Sequence, residues 1–427
     1  MTDARLRSST RFRDRTLLVW GFLSLAISGL LIGPLGAADQ QNSRVIAVGD
    51  IHGRWDRLIT VMRGTGLLDA DHHWSGGTST FVVLGDFMDR GSDVRGVMDL
   101  LMRLQREAPQ QDGQVVVLLG NHEMMNIIGD FRYVALDVLA SFADADSEKR
   151  REEAYKRYSS ILSRQTRVVG APPARSVGRE DWLRDHPPGF IEYVDAIGPK
   201  EPYGKWLRTL PVVVKIDDTI FVHGGIHPDL RRLSLRDMNR KIEKERELFD
   251  DSKAYLVQQQ IVAPFFTIHE TLDAAQAYLS FYERGTAWDN LGQRPISSAR
   301  LTRGLRSLLD MGDWLSTGRD GPLWFRGFAE WTDEEGERFI GPLLEKYDAQ
   351  RFVVGHTVMD GGIARRFGDR VVLIDTAGTT ALEIEGGEVH ALDFGGRRPS
   401  AGAGPERRPD HPSAVSEGLS TLVLDPR

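Results

Sequence analysis

The chain has 427 residues and a formal net charge of -7, and this length accommodates one large domain or two smaller ones. The acidic balance gives no electrostatic footprint for nucleic acid, so we expect no nucleic-acid partner. Cysteine is absent, which excludes disulfide scaffolds, zinc–thiolate sites and cysteine nucleophiles.

The N-terminus joins a basic segment to an apolar one. Residues 1–15 carry five arginines and two aspartates, and residues 16–38 carry no charge. This pattern is typical of an export signal, although the run is also close to the roughly 20 apolar residues that cross a bilayer. We expect residues 1–38 to be a signal peptide or an uncleaved signal anchor that engages the membrane or the export machinery. The rest of the chain would then be exported, either periplasmic or membrane-anchored outside the cytoplasm.

Three short polar segments come next, and each follows a run of aliphatic residues. The segments are GDIHG at 49–53, GDFMDRG at 85–91 and GNHE at 120–123, after predicted strands at 45–48, 81–84 and 115–119. Glycine lets the chain turn sharply and approach a ligand closely. Helices are predicted between these strands at 54–68 and 92–107, with Ser92 or Asp93 as the cap of the second.

The remainder of the chain alternates charged helical stretches with further strands. These strands are predicted at 212–216, 219–222, 352–354, 371–374, 381–385 and 389–392, and two of them lead into His223 and His356. The pattern predicts an α/β fold with mixed sheets, helices outside and one domain over residues 44–394. Helical insertions are expected at about 140–200, as the wall of a substrate groove, and at about 234–315. Residues 395–427 are rich in glycine, proline, serine and arginine, which predicts a disordered tail.

Oxygen ligands and imidazoles thus converge at five strand ends, a pattern that indicates a site for two metal ions. The predicted ligands are two carboxylates, one amide and three imidazoles: Asp50, His52, Asp86, Asn121, His223 and His356. Asp86 would bridge the ions, Asp50 and His52 would complete the first, and the other three would hold the second. This mixed set favours manganese, with iron or zinc as alternatives, over calcium. Glu123 is expected to support the ligands rather than bind metal.

Other residues of these segments are expected to act on a substrate. Two ions would lower the pKa of a bridging water and neutralise the oxygens of a phosphoryl group under in-line attack by the resulting hydroxide. His122 would protonate the leaving group as a general acid, with Asp89 orienting its ring. Arg90 offers a planar fork for phosphate oxygens, Arg326 is a second candidate clamp, and Asn121 is also expected at the phosphate.

Taken together, these segments resemble the signature of the calcineurin-like metallophosphoesterases, in the forms found in the phosphoprotein phosphatase (PPP) superfamily. FVHGG at 221–225 resembles the fourth motif of that family. The stretches at 121–126, 129–133, 321–327 and 354–357 make the chain most similar to the Shewanella-like protein phosphatases. The resemblance covers roughly residues 44–385. It implies a central β-sandwich of mixed sheets flanked by α-helices, two metal ions, and phosphomonoester hydrolysis without a phosphoenzyme.

We therefore predict a metallophosphatase, a phosphoric monoester hydrolase that acts on a phosphorylated protein. One alternative is hydrolysis of a small phosphomonoester or a dinucleoside polyphosphate. A second alternative is a non-catalytic metal-binding module that docks phosphoproteins, but the complete set of candidate catalytic residues favours an enzyme. The preference between phosphoserine or phosphothreonine and phosphotyrosine stays open.

Overall fold

The computed structural model of the chain describes residues 44–170, 173, 176–283, 299–376 and 379–395. All of these residues belong to one compact unit. The predicted N-terminal segment at 1–38 and residues 396–427 of the predicted tail lie outside the described residues. None of the helices that the structure describes is both long enough and apolar enough to cross a membrane.

The strands of the described chain form two five-stranded sheets. The first contains β1 (Val45–Val48), β2 (Thr80–Val83), β3 (Gln114–Val117), β9 (Thr380–Glu385) and β10 (Glu388–Asp393). The second contains β4 (Val213–Ile216), β5 (Thr219–Val222), β6 (Arg351–Val354), β7 (Ala364–Arg366) and β8 (Val371–Leu373). Their spatial orders are β10-β9-β1-β2-β3 and β4-β5-β6-β8-β7.

Both sheets mix parallel and antiparallel pairs, which confirms the predicted α/β class with mixed sheets. Strands β1, β2 and β3 run parallel to one another, and so do β5, β6 and β8. Antiparallel strands complete the first sheet at the edge formed by β9 and β10 and the second sheet at both edges, β4 and β7. The sequence did not indicate β7, a three-residue edge strand with two arginines that is only partly buried.

The two sheets pack face to face around a shared apolar layer. Val45 and Ala47 of β1 belong to this layer together with Phe221 of β5 and Val353 of β6. Ile46, on the opposite face of β1, packs into the core formed with the helices. Strands that are buried on both faces are apolar at nearly every position, which explains the uninterrupted aliphatic runs of the sequence.

Helices cover the outer faces of the sandwich. The α-helices of the described chain are α1 (Trp55–Gly64), α2 (Val94–Glu107), α3 (Asn121–Ile128), α4 (Leu136–Phe142), α5 (Ser147–Val169), α6 (Arg179–Asp185), α7 (Phe190–Ala196), α8 (Pro202–Thr209), α9 (Leu235–Gln258), α10 (Ile268–Glu283), α11 (Ala299–Leu309), α12 (Gly327–Glu330) and α13 (Asp333–Tyr347). Short 3-10 turns lie at Ala108–Gln111, Pro228–Arg232 and Asp310–Asp313. Asp93 caps α2 by accepting a hydrogen bond from the backbone N–H of Gly96 at 2.9 Å, and it is one of the two predicted caps.

Helices α4 to α8 lie between β3 and β4, and aromatic side chains hold part of this region together. The ring of His186 stacks on Trp182 at 4.0 Å between centroids and meets the edge of Phe190 at 4.6 Å. His186 Nδ1 donates to the carbonyl of Trp182 at 2.7 Å. Its Nε2 is buried and has no hydrogen-bond partner among the described residues. Burial lowers the pKa of His186 to about 4.

We predict that His186 makes the folded protein less stable in mild acid. The native imidazole stays neutral because its pKa is about 4, whereas in the unfolded chain the imidazole takes up a proton near pH 6.5. The free energy of unfolding therefore falls as the pH drops from 6.5 to 4, with a loss of about 2 kcal/mol at pH 5. His186→Phe keeps a ring against Trp182 but has no imidazole to protonate. Between pH 7 and pH 5, its free energy of unfolding in urea should therefore fall by about 2 kcal/mol less than that of the wild type. Equal losses in the two proteins would contradict the prediction.

Candidate metal and catalytic site

The turns that carry the predicted site residues hold their backbone in an uncommon conformation. Five of these residues have a positive φ: His52 at 49°, Asp86 at 49°, Asp89 at 63°, Arg90 at 60° and His356 at 65°. A left-handed conformation costs a residue other than glycine roughly 1–3 kcal/mol, and such residues cluster at functional sites. The turns after β1, β2 and β6 are therefore shaped for side-chain placement and not for local stability.

Asp86 lies at the centre of the site. Two groups of potential metal ligands share its carboxylate, one with His52 and His122 and the other with His223 and His356. Oδ2 lies 3.7 Å from Nε2 of His122, and Oδ1 lies 3.4 Å from Nε2 of His223. Burial raises the pKa of Asp86, but His223 and His122 outweigh it and hold the pKa well below its usual range. The carboxylate is thus ionised and faces a separate imidazole with each oxygen.

Glu123 fixes the backbone around Asp86. Its carboxylate accepts hydrogen bonds from the backbone N–H groups of Asp86 at 2.7 Å, Met88 at 2.9 Å and Gly120 at 2.9 Å. Burial, followed by repulsion from Asp86, raises the pKa of Glu123 to about 7. A side chain at position 120 would collide with the Asp86 carboxylate, so only glycine allows this approach. Glu123 therefore supports the turn after β2 from the start of α3.

The second group combines an amide and two imidazoles with Asp86. His223 donates from Nδ1 to the carbonyl of Leu84 at 2.8 Å, so its Nε2 faces Oδ1 of Asn121 at 2.8 Å as well as the Asp86 carboxylate. Burial lowers the pKa of His223, but Asp86 more than compensates and raises it to about 9. The buried Nε2 of His356 has no hydrogen-bond partner among the described residues. A nitrogen that faces two oxygen acceptors and a neighbouring buried nitrogen without a partner fit a cation between them.

Asp50 and His52 lie on the other side of Asp86. His52 Nδ1 donates to the carbonyl of Met88 at 2.9 Å, and its Nε2 lies 3.9 Å from Oδ2 of Asp50. Burial, with a contribution from His122, lowers the pKa of His52 to about 3, which leaves Nε2 with a free lone pair. Burial, then Asp375 and Asp86, raises the pKa of Asp50 well above its usual range. Several carboxylates beside a neutral imidazole also fit a cation.

The group of potential metal ligands that contains His52 and Asp86 has His122 as its third member, whereas the sequence predicted Asp50. His122 makes a different set of contacts from the ligand candidates. Its Nδ1 lies 2.7 Å from Oδ2 of Asp89, and its Nε2 lies 3.0 Å from Nη2 of Arg90. A guanidinium at that distance disfavours a cation on the same nitrogen. Asp50, whose Oδ1 accepts from the backbone N–H of His356 at 3.1 Å, has its other oxygen directed toward His52.

The two predicted phosphate clamps lie in different surroundings. Arg90 is exposed, and its guanidinium lies over the ring of Tyr133 at 5.6 Å as well as beside His122. Arg326 is partly buried and donates from Nη1 to the carbonyl of His356 at 3.0 Å and to Oγ1 of Thr357 at 3.1 Å. Arg326 therefore holds the turn after β6, next to the candidate ligand His356.

Sequence reasoning missed three buried residues around the site. Asn126 donates to Oδ1 of Asp89 at 2.9 Å, and Tyr193 donates to Oδ1 of Asn126 at 2.6 Å. Asp375 follows β8 and acts electrostatically on Asp50. Its position after an aliphatic strand was a usable signal, and so was the four-residue spacing of Asn126 from His122 on one helix face. Tyr193 had no such signal because it lies in α7, far along the chain.

Known protein families and relatives match this chain in sequence. The model of the calcineurin-like phosphoesterase family matches residues 43–360. Shewanella-like protein phosphatase 2 of Arabidopsis thaliana is 28% identical over 232 residues, which are 52% of this chain and 58% of that protein. Shewanella-like protein phosphatase 1 of Plasmodium berghei (strain Anka) is 25% identical over 319 residues, which are 74% of this chain and 61% of that protein. The alignments thus cover less than two thirds of either relative.

A solved structure also shares the fold. The cold-active protein-tyrosine phosphatase of a psychrophilic Shewanella species superposes with a TM-score of 0.51 over 82% of this chain and 78% of that one, at 23% identity. This likeness concerns the fold. The family match, by contrast, covers all five strand ends that carry the predicted ligands, from the segment at 49–53 to His356. The resemblance expected from the motifs is confirmed, and the chain belongs to the calcineurin-like phosphoesterase family.

Proposed function

We propose that this protein is a metal-dependent phosphomonoester hydrolase of the protein-phosphatase kind. The observation that carries the proposal is the Asp86 carboxylate, which presents one oxygen to each of two ligand groups. A carboxylate shared in this way suits a pair of divalent ions that act on one phosphoryl group. The pairing of His122 with Asp89 beside the same carboxylate supplies the candidate proton donor.

The residues that would hold the ions are those predicted from the strand ends. Asp50 and His52 would bind one ion and Asn121, His223 and His356 the other, with Asp86 shared. The oxygen and nitrogen donors suit manganese first, and also iron or zinc. When bound, such ions lower the pKa of a water toward neutrality and neutralise phosphoryl oxygens.

The reaction transfers a phosphoryl group from an ester oxygen to water. The water oxygen attacks phosphorus in line with the leaving oxygen, and a new P–O bond forms as the ester P–O bond breaks. The electron pair of the broken bond stays on the leaving oxygen, which takes a proton from Nε2 of His122. The attacking water releases a proton to solvent, and His122 takes a proton from solvent to return to its starting state. The products are an alcohol or phenol and inorganic phosphate, without a phosphoenzyme.

His122 suits the role of general acid because its Nδ1 proton is held by Asp89, which leaves Nε2 for the leaving group. Burial lowers the pKa of His122, but Asp86 and Asp89 outweigh it and raise the pKa above the ordinary value. The Arg90 guanidinium stands beside Nε2, so its movement onto substrate phosphate would free that nitrogen for the proton. We propose Arg90, Asn121 and Arg326 as the phosphate contacts.

The proposed substrates are a phosphorylated protein or a small phosphomonoester. The similarity to two proteins named Shewanella-like protein phosphatases favours the phosphoprotein. A dinucleoside polyphosphate is the alternative within the same chemistry, and a non-catalytic module that docks phosphoproteins is the alternative outside it. The sequence of residues 1–38 supports export, with the enzyme periplasmic or membrane-anchored outside the cytoplasm.

Replacement of the shared carboxylate tests the metal site. We expect Asp86→Asn to abolish hydrolysis of p-nitrophenyl phosphate and to lower bound manganese, because a neutral amide cannot supply the charge that both ions need. Turnover and metal content, the latter from plasma mass spectrometry, are measured on the same samples. Asp229→Asn makes the same change on an exposed side chain and should leave both unchanged. An Asp86→Asn protein with wild-type rate and metal content would refute the site.

The role of His122 is tested with substrates whose leaving groups differ. His122→Asn should lower kcat for phenyl phosphate by roughly 10²–10⁴-fold, which is the usual contribution of a general acid. The loss should be much smaller for 2,4-dinitrophenyl phosphate, whose leaving oxygen needs no proton. Equal losses on both substrates would argue against proton donation.

A wild-type protein that binds manganese but hydrolyses no monoester would support the docking module instead.

A further inference from the structure

We propose that Asn126 and Tyr193 are positioning residues for His122, so that the helices inserted between β3 and β4 support proton transfer. The inference rests on the proposed function, because it assumes that His122 protonates the leaving group. It extends that function to a residue in α7, outside the segments that carry the family signature.

A continuous chain of side-chain hydrogen bonds joins Tyr193 to His122. The Tyr193 hydroxyl donates to Oδ1 of Asn126 at 2.6 Å, and Nδ2 of Asn126 donates to Oδ1 of Asp89 at 2.9 Å. The other oxygen of Asp89 accepts from Nδ1 of His122 at 2.7 Å. All four residues are at most 2% exposed, so water does not compete for these bonds.

The neighbouring acceptors fix which group donates and which accepts in each of these hydrogen bonds. The Nδ2 group of Asn126 also donates to the backbone carbonyl of His122 at 2.9 Å, so both of its protons face oxygen acceptors. Rotation of the amide would place Oδ1 against the Asp89 carboxylate and that carbonyl, and two acceptors repel. Oδ1 must therefore face Tyr193, which can only donate to it. The chain thus keeps Asp89 as an acceptor and the proton of His122 on Nδ1.

Tyr193 is itself held by the insertion. Its ring meets the edge of Phe142 in α4 at 5.2 Å and that of Phe131 at 6.0 Å, and α7 packs on α5. Loss of its hydroxyl would leave Oδ1 of Asn126 buried without a donor and remove the bond that links α7 to the amide. Asp89 would then keep His122 less firmly in the orientation that aims Nε2 at the leaving oxygen.

Tyr193→Phe tests the proposal because it removes the hydroxyl and keeps the ring. In the full-length, manganese-loaded protein, we expect kcat for phenyl phosphate to fall about tenfold, less than the loss expected for His122→Asn. The value for 2,4-dinitrophenyl phosphate should stay within about twofold, and KM and metal content should not change. Tyr158→Phe is the matched control, since it removes another buried tyrosine hydroxyl from the same insertion, on α5.

A second measurement is independent of turnover. The Nδ1 proton of His122 should give a downfield NMR signal, identified by its absence in His122→Asn, in the metal-free protein. Tyr193→Phe and Asn126→Ala should shift this signal upfield and speed its exchange with water, whereas Tyr158→Phe should not. Asn126→Ala decides the matter if Tyr193→Phe does not fold.

The possible results separate this inference from the proposed function. Unchanged kinetics and an unchanged NMR signal would overturn the inference. Equal losses on both substrates with lost metal would also overturn it, because they would mark a general structural role. A wild-type protein without phosphatase activity would refute the proposed function, and the NMR comparison would still decide whether Tyr193 positions His122.

Discussion

Burial of the Asp86 carboxylate is the constraint on which the rest of the site depends. A buried carboxylate is costly unless charges and hydrogen bonds compensate it. Here the backbone N–H of His122 donates to Oδ1 at 3.0 Å, the His223 ring lies beside the same oxygen, and Glu123 fixes the residue's own N–H. These groups follow β3 and β5, which lie in different sheets. The two sheets must therefore pack with their strand ends together, and the apolar layer between them is what keeps the charges at these distances.

The sequence predicts those site residues that directly follow a strand. An aliphatic run followed by Asp50 or Asp86 needs no tertiary knowledge, because parallel neighbours end at the same edge of a sheet. The edge strand β7 lacked such a run and escaped prediction. Tyr193 escaped for a stronger reason: its hydrogen bond to Asn126 spans 67 residues and depends on how α7 packs. Local patterns place candidate site residues after strands, but they do not reveal which distant helix contacts the neighbours of those residues.

Under the proposed function, the helices between β3 and β4 support the candidate proton donor, a role that their composition does not reveal. The sequence suggested only a wall for a substrate groove in this region. In the structure, Phe131, Phe142 and Tyr193 form an aromatic contact, and the Tyr193 hydroxyl reaches Asn126 on α3. The proposed support of His122 thus lies in the same insertion for which the sequence predicts a groove wall. We expect a change in the packing of this insertion to alter the proposed chemical step.

The start of α3 carries a residue of the candidate metal site next to the candidate proton donor. Successive residues of a helix point about 100° apart, so Asn121 and His122 face different neighbours although they are adjacent. Asn121 lies against the candidate ligand His223, and His122 lies against Asp89. Asn126 follows one turn later on the face of His122 and receives the contact from α7. The helix has only eight residues, all of them buried, so it cannot move one of these groups without the others. This coupling is the physical reason why both sheets and the insertion converge on α3.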